Sequence, residues 1–258
     1  MKVNKIIEEK GLLNLPVTYK GTDYSPITHE DVIGGIDKYL LENNFKIRGK
    51  EYLSAQNGQK AIGKVFLDYP DQECGFMVSW KNSMDGSMSF GLASGSYTFI
   101  CANGSVYGDI SSYKRKHSGN AAEEVEFQIK TACELMQEAM QVHIERRERM
   151  KEITLSNRMT AELCGRLFIE DEIISANQLS LLKKEMENPS FNYNSKDTAW
   201  EFYQHCTYVI KDTHPMNWHK VHKNLGNWFV NEFGLLVSDE QLVEYSEGIE
   251  NIEELIEA

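Results

Sequence analysis

The chain has 258 residues, of which 41% are hydrophobic and 10% aromatic, so it can form a packed core and is not disordered as a whole. No run of eighteen apolar residues occurs, and the first residues lack the apolar stretch of a secretory signal, so we expect neither a membrane span nor secretion. Five widely spaced cysteines without a Cys-x-x-Cys pair are typical of a reduced, cytoplasmic protein.

The formal charge of −12 is unevenly distributed along the chain. Residues 238–258 contain eight acidic residues and no Lys or Arg, and they account for two thirds of the net negative charge. A pI of about 5.1 argues against a simple basic nucleic-acid binder, but this argument weakens once the acidic tail is set aside. Three basic clusters remain, and each also fits a solvated face or a helix C-terminus: residues 46–50, 114–117 and 146–151.

The first helix that the sequence predicts begins after Thr28, which is a good N-cap and is followed by an acid, Asp31, at the third helical position. Apolar residues then recur at helical spacing: Val32, Ile33, Ile36, Tyr39 and Leu40. The pair Gly34-Gly35 weakens this helix or marks a place where another element packs closely against it.

From Phe45 to about Asp109, short β-rich segments alternate with turn dipeptides. Asn57-Gly58 separates segments 52–56 and 61–69, which is a strong hairpin pattern. The remaining predicted strands are separated by Asp85-Gly86, Ser94-Gly95 and Asn103-Gly104: 76–80, 88–93, 97–101 and 105–107. Because no connection is long enough for parallel pairing, we predict an antiparallel meander of five or six strands.

The rest of the chain is predicted to be helical. Residues 121–152 form the longest helix, with His143 on its apolar face. Further helices are predicted at 155–169, at 175–187, at 198–211 with Ser195 or Asp197 as the cap, and at 216–229 with Pro215 at its start. Ser238-Asp-Glu-Gln241 predicts a capping box for a short acidic helix.

These elements predict an α+β protein with an N-terminal helix, an antiparallel β-meander, a long amphipathic helix packed on the sheet and a helical C-terminal third. We expect three parts: an α+β core over residues 1–152, a helical region over 153–237 and an acidic tail over 238–258.

Candidate chemistry is sparse. Walker, Rossmann and nucleophile-elbow motifs are absent. The C-terminal histidines, His205, His214, His219 and His222, do not have the spacing of a known zinc site, and packing explains the last two. We therefore expect no enzyme, no metal and no cofactor.

The most unusual segment is Trp80-Lys-Asn-Ser-Met-Asp-Gly-Ser87. Such a loop could bind an anion through backbone N–H groups, with Lys81 adding positive charge. The alternative is a self-satisfied turn, in which Asn82, Ser83 and Asp85 cap their own backbone.

This loop and the segment up to Gly104 resemble the phage/plasmid-like protein family, domain of unknown function 932. The resemblance lies in the Asn-Ser-x-Asp-x-Ser loop, the strand ending in Cys-x-Asn, Arg115-Lys-His-Ser118, and a later Trp-x-x-Tyr pattern at 200–207, and it covers about residues 25–230. Met84 stands where many relatives carry His, which argues against a proton-transfer role for that position.

The resemblance implies a phage or plasmid protein in the bacterial cytoplasm. The order of helix, meander and long helix is also similar to single-strand annealing proteins of the Redβ, RecT and Erf type, which form rings or filaments on single-stranded DNA. The first hypothesis is therefore an oligomeric protein that binds and anneals single-stranded DNA without a cofactor. The contacts expected for it are Lys46, Arg48, Lys81, Asn82, Ser83, Lys114, Arg115, Lys116 and His117. Bases could stack on Tyr52, Trp80, Tyr97 or Tyr113.

The second hypothesis is a protein-interaction module, such as a phage inhibitor of a host defence or replication protein. The acidity of the chain suits a basic partner surface. In the first hypothesis the tail would recruit a partner or compete with DNA. Basic clusters that converge on one face would favour DNA, whereas dispersed clusters would favour a protein partner.

Overall fold

The structure is a computed structural model that describes residues 5–17, 23–68, 74–98, 104–105, 112–193, 195–211, 213 and 217–236. One antiparallel sheet contains all its strands: β1 (Lys5–Ile6), β2 (Lys46–Ala55), β3 (Lys60–Asp68), β4 (Cys74–Ser83), β5 (Phe90–Thr98), β6 (Gly104–Ser105) and β7 (Ser112–Arg115). The helices are α1 (His29–Glu42), α2 (Ala121–Glu134), α3 (Met136–Glu152), α4 (Asn157–Gly165), α5 (Ala176–Glu187), α6 (Ala199–Ile210) and α7 (Trp218–Glu232). This is the α+β architecture that the sequence predicts.

The strands follow one another in the order β1 to β6, and β7 pairs with the first half of β5. The β2–β3 hairpin turns at Asn57-Gly58, as predicted, with φ of 56° and 87° at these residues. Asparagine tolerates the left-handed region better than most residues, which suits Asn57, and Gly58 adopts this region without a steric penalty.

Strand β5 differs from the prediction. Ser94-Gly95 is not a turn, because these residues pair with Val78 and Met77 in an unbroken β4–β5 ladder. The tertiary ladder overrides the local preference of the Ser-Gly pair for a turn. Gly91 lies within the same strand, opposite Lys81.

The sheet has two faces with different roles. Alternate residues of β3 and β4, such as Val65, Leu67, Phe76 and Trp80, point to what we call the inner face, and α1 and α2 cover it. Thr28 caps α1 by accepting a hydrogen bond from Asp31 N at 2.9 Å, as predicted. The opposite residues of the strands form the outer face.

The two glycines of α1 have different surroundings. A Cβ on Gly35 would lie 3.6 Å from Ile129 of α2, so this glycine marks the predicted close packing of one element on another. A Cβ on Gly34 would meet nothing within 4 Å.

The predicted helix 121–152 is two helices, α2 and α3, separated at Leu135. Leu135 N still donates to Thr131 O at 3.0 Å, and Ala139 N donates to Leu135 O at 3.0 Å, so helical hydrogen bonding continues across the break. The first core runs from Leu12 to Met140, and the second contains Met150 at the end of α3 together with α4 to α7 and Cys74 of the sheet. His143 is buried against Phe76, with ring centroids 6.0 Å apart.

The C-terminal helices follow the prediction with local corrections. Ser175 forms a capping box with Gln178 at the start of α5. The cap of α6 is Thr198, which accepts from Glu201 N, and neither Ser195 nor Asp197 has that role. A single π-helical turn, Arg166–Glu170, follows α4. The predicted strand ends beyond Thr98, Pro215 and the acidic helix after Ser238 lie outside the described residues.

Candidate nucleic-acid interface

Lysines are concentrated on the outer face. In β3, apolar residues and glycine at positions 61, 63, 65 and 67 point inward, so alternation places Lys60 and Lys64 outward. The strand register then adds lysines from three neighbouring strands to the same face: Lys46 opposite Asp68, Lys81 opposite Ile62, and Lys114 opposite Gly91. Against these five lysines, the described strands place two carboxylates on this face, Glu51 and Asp68.

Lys81 and Lys114 flank Gly91 from the strands on either side of it. A Cβ at Gly91 would lie 2.9 Å from Cε and 3.0 Å from Cγ of Lys81, so the lysine stem crosses the space that a side chain would fill. Burial lowers the pKa of Lys81, and the nearby charge of Lys114 lowers it further. The glycine thus allows two cations to approach each other.

His219, in the first turn of α7, extends this cluster. Its Nε2 lies 2.8 Å from Ser79 Oγ, on the outer face of β4. Burial lowers the pKa of His219 to about 3, and the charges of Lys81 and Lys64 add to this effect. Burial also lowers the pKa of Lys64. Burial is thus the main cause of all three shifts, and the carboxylate of Glu51, opposite Lys64 in the strand register, partly offsets it for that lysine.

We call Lys60, Lys64, Lys81 and Lys114 the lysine face. Two of its members, Lys81 and Lys114, are among the contacts predicted from the sequence. Lys60 and Lys64 are not among the predicted contacts, although the alternation of apolar and polar residues in β3 predicts that both lysines lie on the same face. Only the packing of α7 on the sheet reveals His219, because it is separated from Ser79 by 140 residues.

Asn82 and Ser83 are fully buried and do not belong to this surface. Asn82 Nδ2 donates to Ile27 O at 2.7 Å and to Nδ1 of His29 at 3.1 Å. His29 Nε2 in turn donates to Gly58 O at 2.9 Å, and burial lowers the pKa of His29 to about 4. Asn82 therefore fixes the start of α1 and the β2–β3 turn against the sheet.

The loop after β4 uses its own backbone N–H groups. Met88 N donates to Ser83 Oγ, and Ser87 N donates to Asp85 Oδ1, both at 3.0 Å. Met84 N donates to Gln59 O at 2.8 Å. Because these N–H groups already have acceptors, the loop has the geometry of the self-satisfied turn and not that of an anion cradle.

The other predicted contacts are distributed over several surroundings, so none of the three basic clusters of the sequence lies as a whole on the lysine face. Arg115 forms an ion pair with Glu124 of α2 and donates to Ser118 O at 3.2 Å, so it holds β7 to the inner layer. His117 is buried and stacks on Tyr24, with ring centroids 5.9 Å apart. Lys116 is exposed beyond the end of β7. Arg48 is exposed at an irregularity of β2, and Lys46 lies at the far end of the outer face.

The aromatic residues expected to stack on bases lie mostly on the inner face. Trp80 is fully buried, and its indole covers Gly63. Tyr52 donates to Glu9 Oε2 at 2.7 Å, and Tyr113 packs on Phe90. The side chain of Tyr97 lies outside the described residues. The half-buried aromatic ring that the described strands place on the outer face is Phe66 of β3.

A groove of about 1000 Å³ lies between α4, α5 and α6. Cys164 and His205 line it; burial raises the pKa of the thiol to about 11 and lowers the pKa of the histidine. Burial thus disfavours the charged form of both groups, and Lys183 and Lys196 also line the groove. Among the described residues, no three His, Cys, Asp or Glu side chains converge as metal ligands. No described helix combines the length and apolar composition that a bilayer span requires.

Comparison with known proteins identifies the family. No curated protein and no solved structure matches the chain. The sequence profile of domain of unknown function 932 matches residues 18–225, which include all the strands from β2 to β7, the buried loop after β4 and the lysine face. The chain therefore belongs to the family of domain of unknown function 932.

Proposed function

We propose that this protein binds single-stranded nucleic acid on the lysine face, through contacts to the phosphate backbone. The observation that carries the proposal is the convergence of Lys60, Lys64, Lys81 and Lys114 on one face of a sheet whose opposite face is covered by helices. Phosphate contacts of this kind supply most of the affinity of sequence-independent binding.

The arrangement of the lysines suits a flexible single strand. Lys81 and Lys114 are two strands apart, about 10 Å, and Lys60 and Lys64 are four residues apart along β3, about 13 Å. The face is partly covered, because α7 packs on it where His219 contacts Ser79, and Met77, Ser79 and Ala93 are fully buried there; Lys114 is exposed. Phe66 provides an aromatic surface at the same face.

We further propose that the protein acts in phage or plasmid DNA metabolism in the bacterial cytoplasm, as an oligomer that anneals complementary strands. What supports this step is the order of elements, with α1 before the meander and α2 and α3 after it. That order is the one expected from the likeness to Redβ, RecT and Erf proteins, so the support is by analogy of fold.

The test is fluorescence anisotropy of the full chain with a labelled 40-mer single strand across a salt titration. The triple variant Lys64→Gln, Lys81→Gln, Lys114→Gln removes three phosphate contacts. The slope of log K against log salt should then become shallower by about 2, since each contact to a single strand contributes about 0.7. The matched control neutralises three lysines elsewhere, each in an exposed ion pair: Lys10, Lys130 and Lys183.

The control should leave the slope unchanged. An equal loss in both triple variants would show that total charge and not the lysine face governs binding. If wild type does not bind at 50 mM salt, even after the acidic residues of the tail are changed to amides, the proposal fails. The protein-interaction hypothesis would then be preferred, because the eight acidic residues at 238–258 favour a basic partner. Mixing complementary labelled strands tests annealing separately.

A further inference from the structure

The lysine face is also partly apolar. Leu53 of β2 and Ile62 and Phe66 of β3 lie at outer positions between the lysines, and all three side chains are half-buried. Backbone phosphates do not require apolar neighbours. A surface with both lysines and aliphatic side chains is complementary to a segment that is both acidic and apolar.

The chain itself contains such a segment. Within residues 238–258, apolar residues recur at spacings of three, four, three and four: Leu242, Tyr245, Ile249, Ile252 and Ile256. This spacing is typical of one apolar stripe on a helix. Eight acidic residues and no Lys or Arg accompany the stripe.

We propose that residues 238–258 dock on the lysine face of the same molecule and exclude nucleic acid from it. The apolar stripe would contact Leu53, Ile62 and Phe66, and the carboxylates would pair with the lysines around them. The docking stands on complementarity alone, whereas its regulatory effect rests on the proposed nucleic-acid binding.

The length of the segment permits this docking. Arg146 and Arg149 of α3 donate to Leu235 O and Leu236 O, which fixes where the chain leaves α7. That point is about 20 Å from His219, since thirteen residues of α7 intervene. About seven extended residues cover this distance. The remaining fifteen, residues 244–258, contain six glutamates and four of the five stripe residues, and as a helix they are about 22 Å long, enough to cover β3 from Lys60 to Phe66, about 20 Å.

Zero-length carbodiimide cross-linking of the full chain tests the docking directly, because it joins carboxylates only to amines in contact with them. We expect links from tail glutamates to Lys60, Lys64, Lys81 or Lys114, within monomers, and few to the exposed lysines Lys10, Lys130 and Lys183. Links spread evenly over all lysines would overturn the docking. Linked dimers in place of linked monomers would also overturn it, in favour of docking on a second copy.

Binding assays test the regulatory effect. A full-length variant with six tail glutamates changed to glutamine should bind the 40-mer at least tenfold more tightly at low salt: Glu244, Glu247, Glu250, Glu253, Glu254 and Glu257. The control makes the same change at six exposed glutamates elsewhere and should alter affinity less than threefold: Glu42, Glu134, Glu138, Glu152, Glu162 and Glu187.

The two proposals fail in different ways. Tail links on the lysine face without nucleic-acid binding would retain the docking and refute the proposed function. Nucleic-acid binding with equal gains in both glutamine variants, and with dispersed links, would retain the function and refute the docking.

Discussion

Gly63 provides a sharp test of the packing that holds the lysine face in place. It lies opposite Trp80 in the β3–β4 register. A Cβ at this position would be 2.3 Å from Nε1 and 2.4 Å from Cε2 of the indole, which is far inside van der Waals contact. The indole is fully buried, with ring contacts to His29 at 5.8 Å and Tyr52 at 6.1 Å, so it has no free space into which to move.

Gly63→Ala should therefore destabilise the protein by about 3–5 kcal/mol, the cost of displacing a buried tryptophan from its site. For a chain of this length, that corresponds to a fall in melting temperature of about 6–20 °C. The control is Gly34→Ala on α1, where a Cβ meets nothing within 4 Å. Removing a helix-interior glycine there should stabilise the protein by about 0.5–1 kcal/mol.

Thermal and urea unfolding of wild type and both variants measures these differences. If Gly63→Ala lies within 1 kcal/mol of wild type, Trp80 does not cover Gly63, and the β3–β4 register is incorrect. The position of Lys81 on the outer face would then lose its basis, because Lys81 follows Trp80 directly and alternation assigns it to the opposite face.

Three further predictions follow from the site. Gly91→Ala should displace the side chain of Lys81 and make the salt slope of single-strand binding shallower by about 0.7. Gly49→Ala is the control, because a Cβ there meets nothing within 4 Å, and it should not change the slope. A slope for Gly91→Ala equal to that of wild type would contradict the Lys81 contact. The folded-state pKa of His29, about 4, is below the ordinary 6.5, so between these values only the unfolded chain takes up this proton. As the pH is lowered from 6.5 to 4, the free energy of unfolding should therefore decrease, by up to about 1.4 kcal/mol per pH unit. In urea unfolding at several pH values, His29→Gln should show a shallower dependence, and an identical one would refute this. Arg115→Gln should lower the free energy of unfolding by about 1–3 kcal/mol, because it removes the ion pair with Glu124, and should leave the salt slope of binding unchanged. A loss of affinity without a loss of stability would show that Arg115 contacts the nucleic acid.

Local features of the fold could be predicted because the atoms that decide them are close in sequence. The Thr28 cap is made by Asp31 N three residues away, and the capping box of Ser175 by Gln178. The Asn57-Gly58 turn requires positive φ at neighbouring residues, which this pair tolerates best. The family resemblance, too, could be identified from short motifs, and the profile match confirms it.

Long-range features were predicted less well. Ser94-Gly95 has the composition of a turn, but pairing with β4 keeps it extended. The helix pattern over 121–152 is continuous, yet the structure divides it at Leu135 into α2 and α3, and α3 contributes Met140 to one core and Met150 to the other. Arg115 lies in a basic cluster of the sequence, but in the structure it forms an ion pair with Glu124 of α2.

The sequence by itself thus determined the fold class, the order of the elements, the family and the concentration of acidic residues in the last 21 positions. Only the tertiary structure decided which basic residues share a surface. Lys64, Lys81 and Lys114 come from three strands and meet because strand register aligns them, while Asn82 and Arg115, their neighbours in sequence, point into the protein. The physical reason is the period of two in a β-strand, which sends adjacent residues to opposite faces and lets helices bury only one of them.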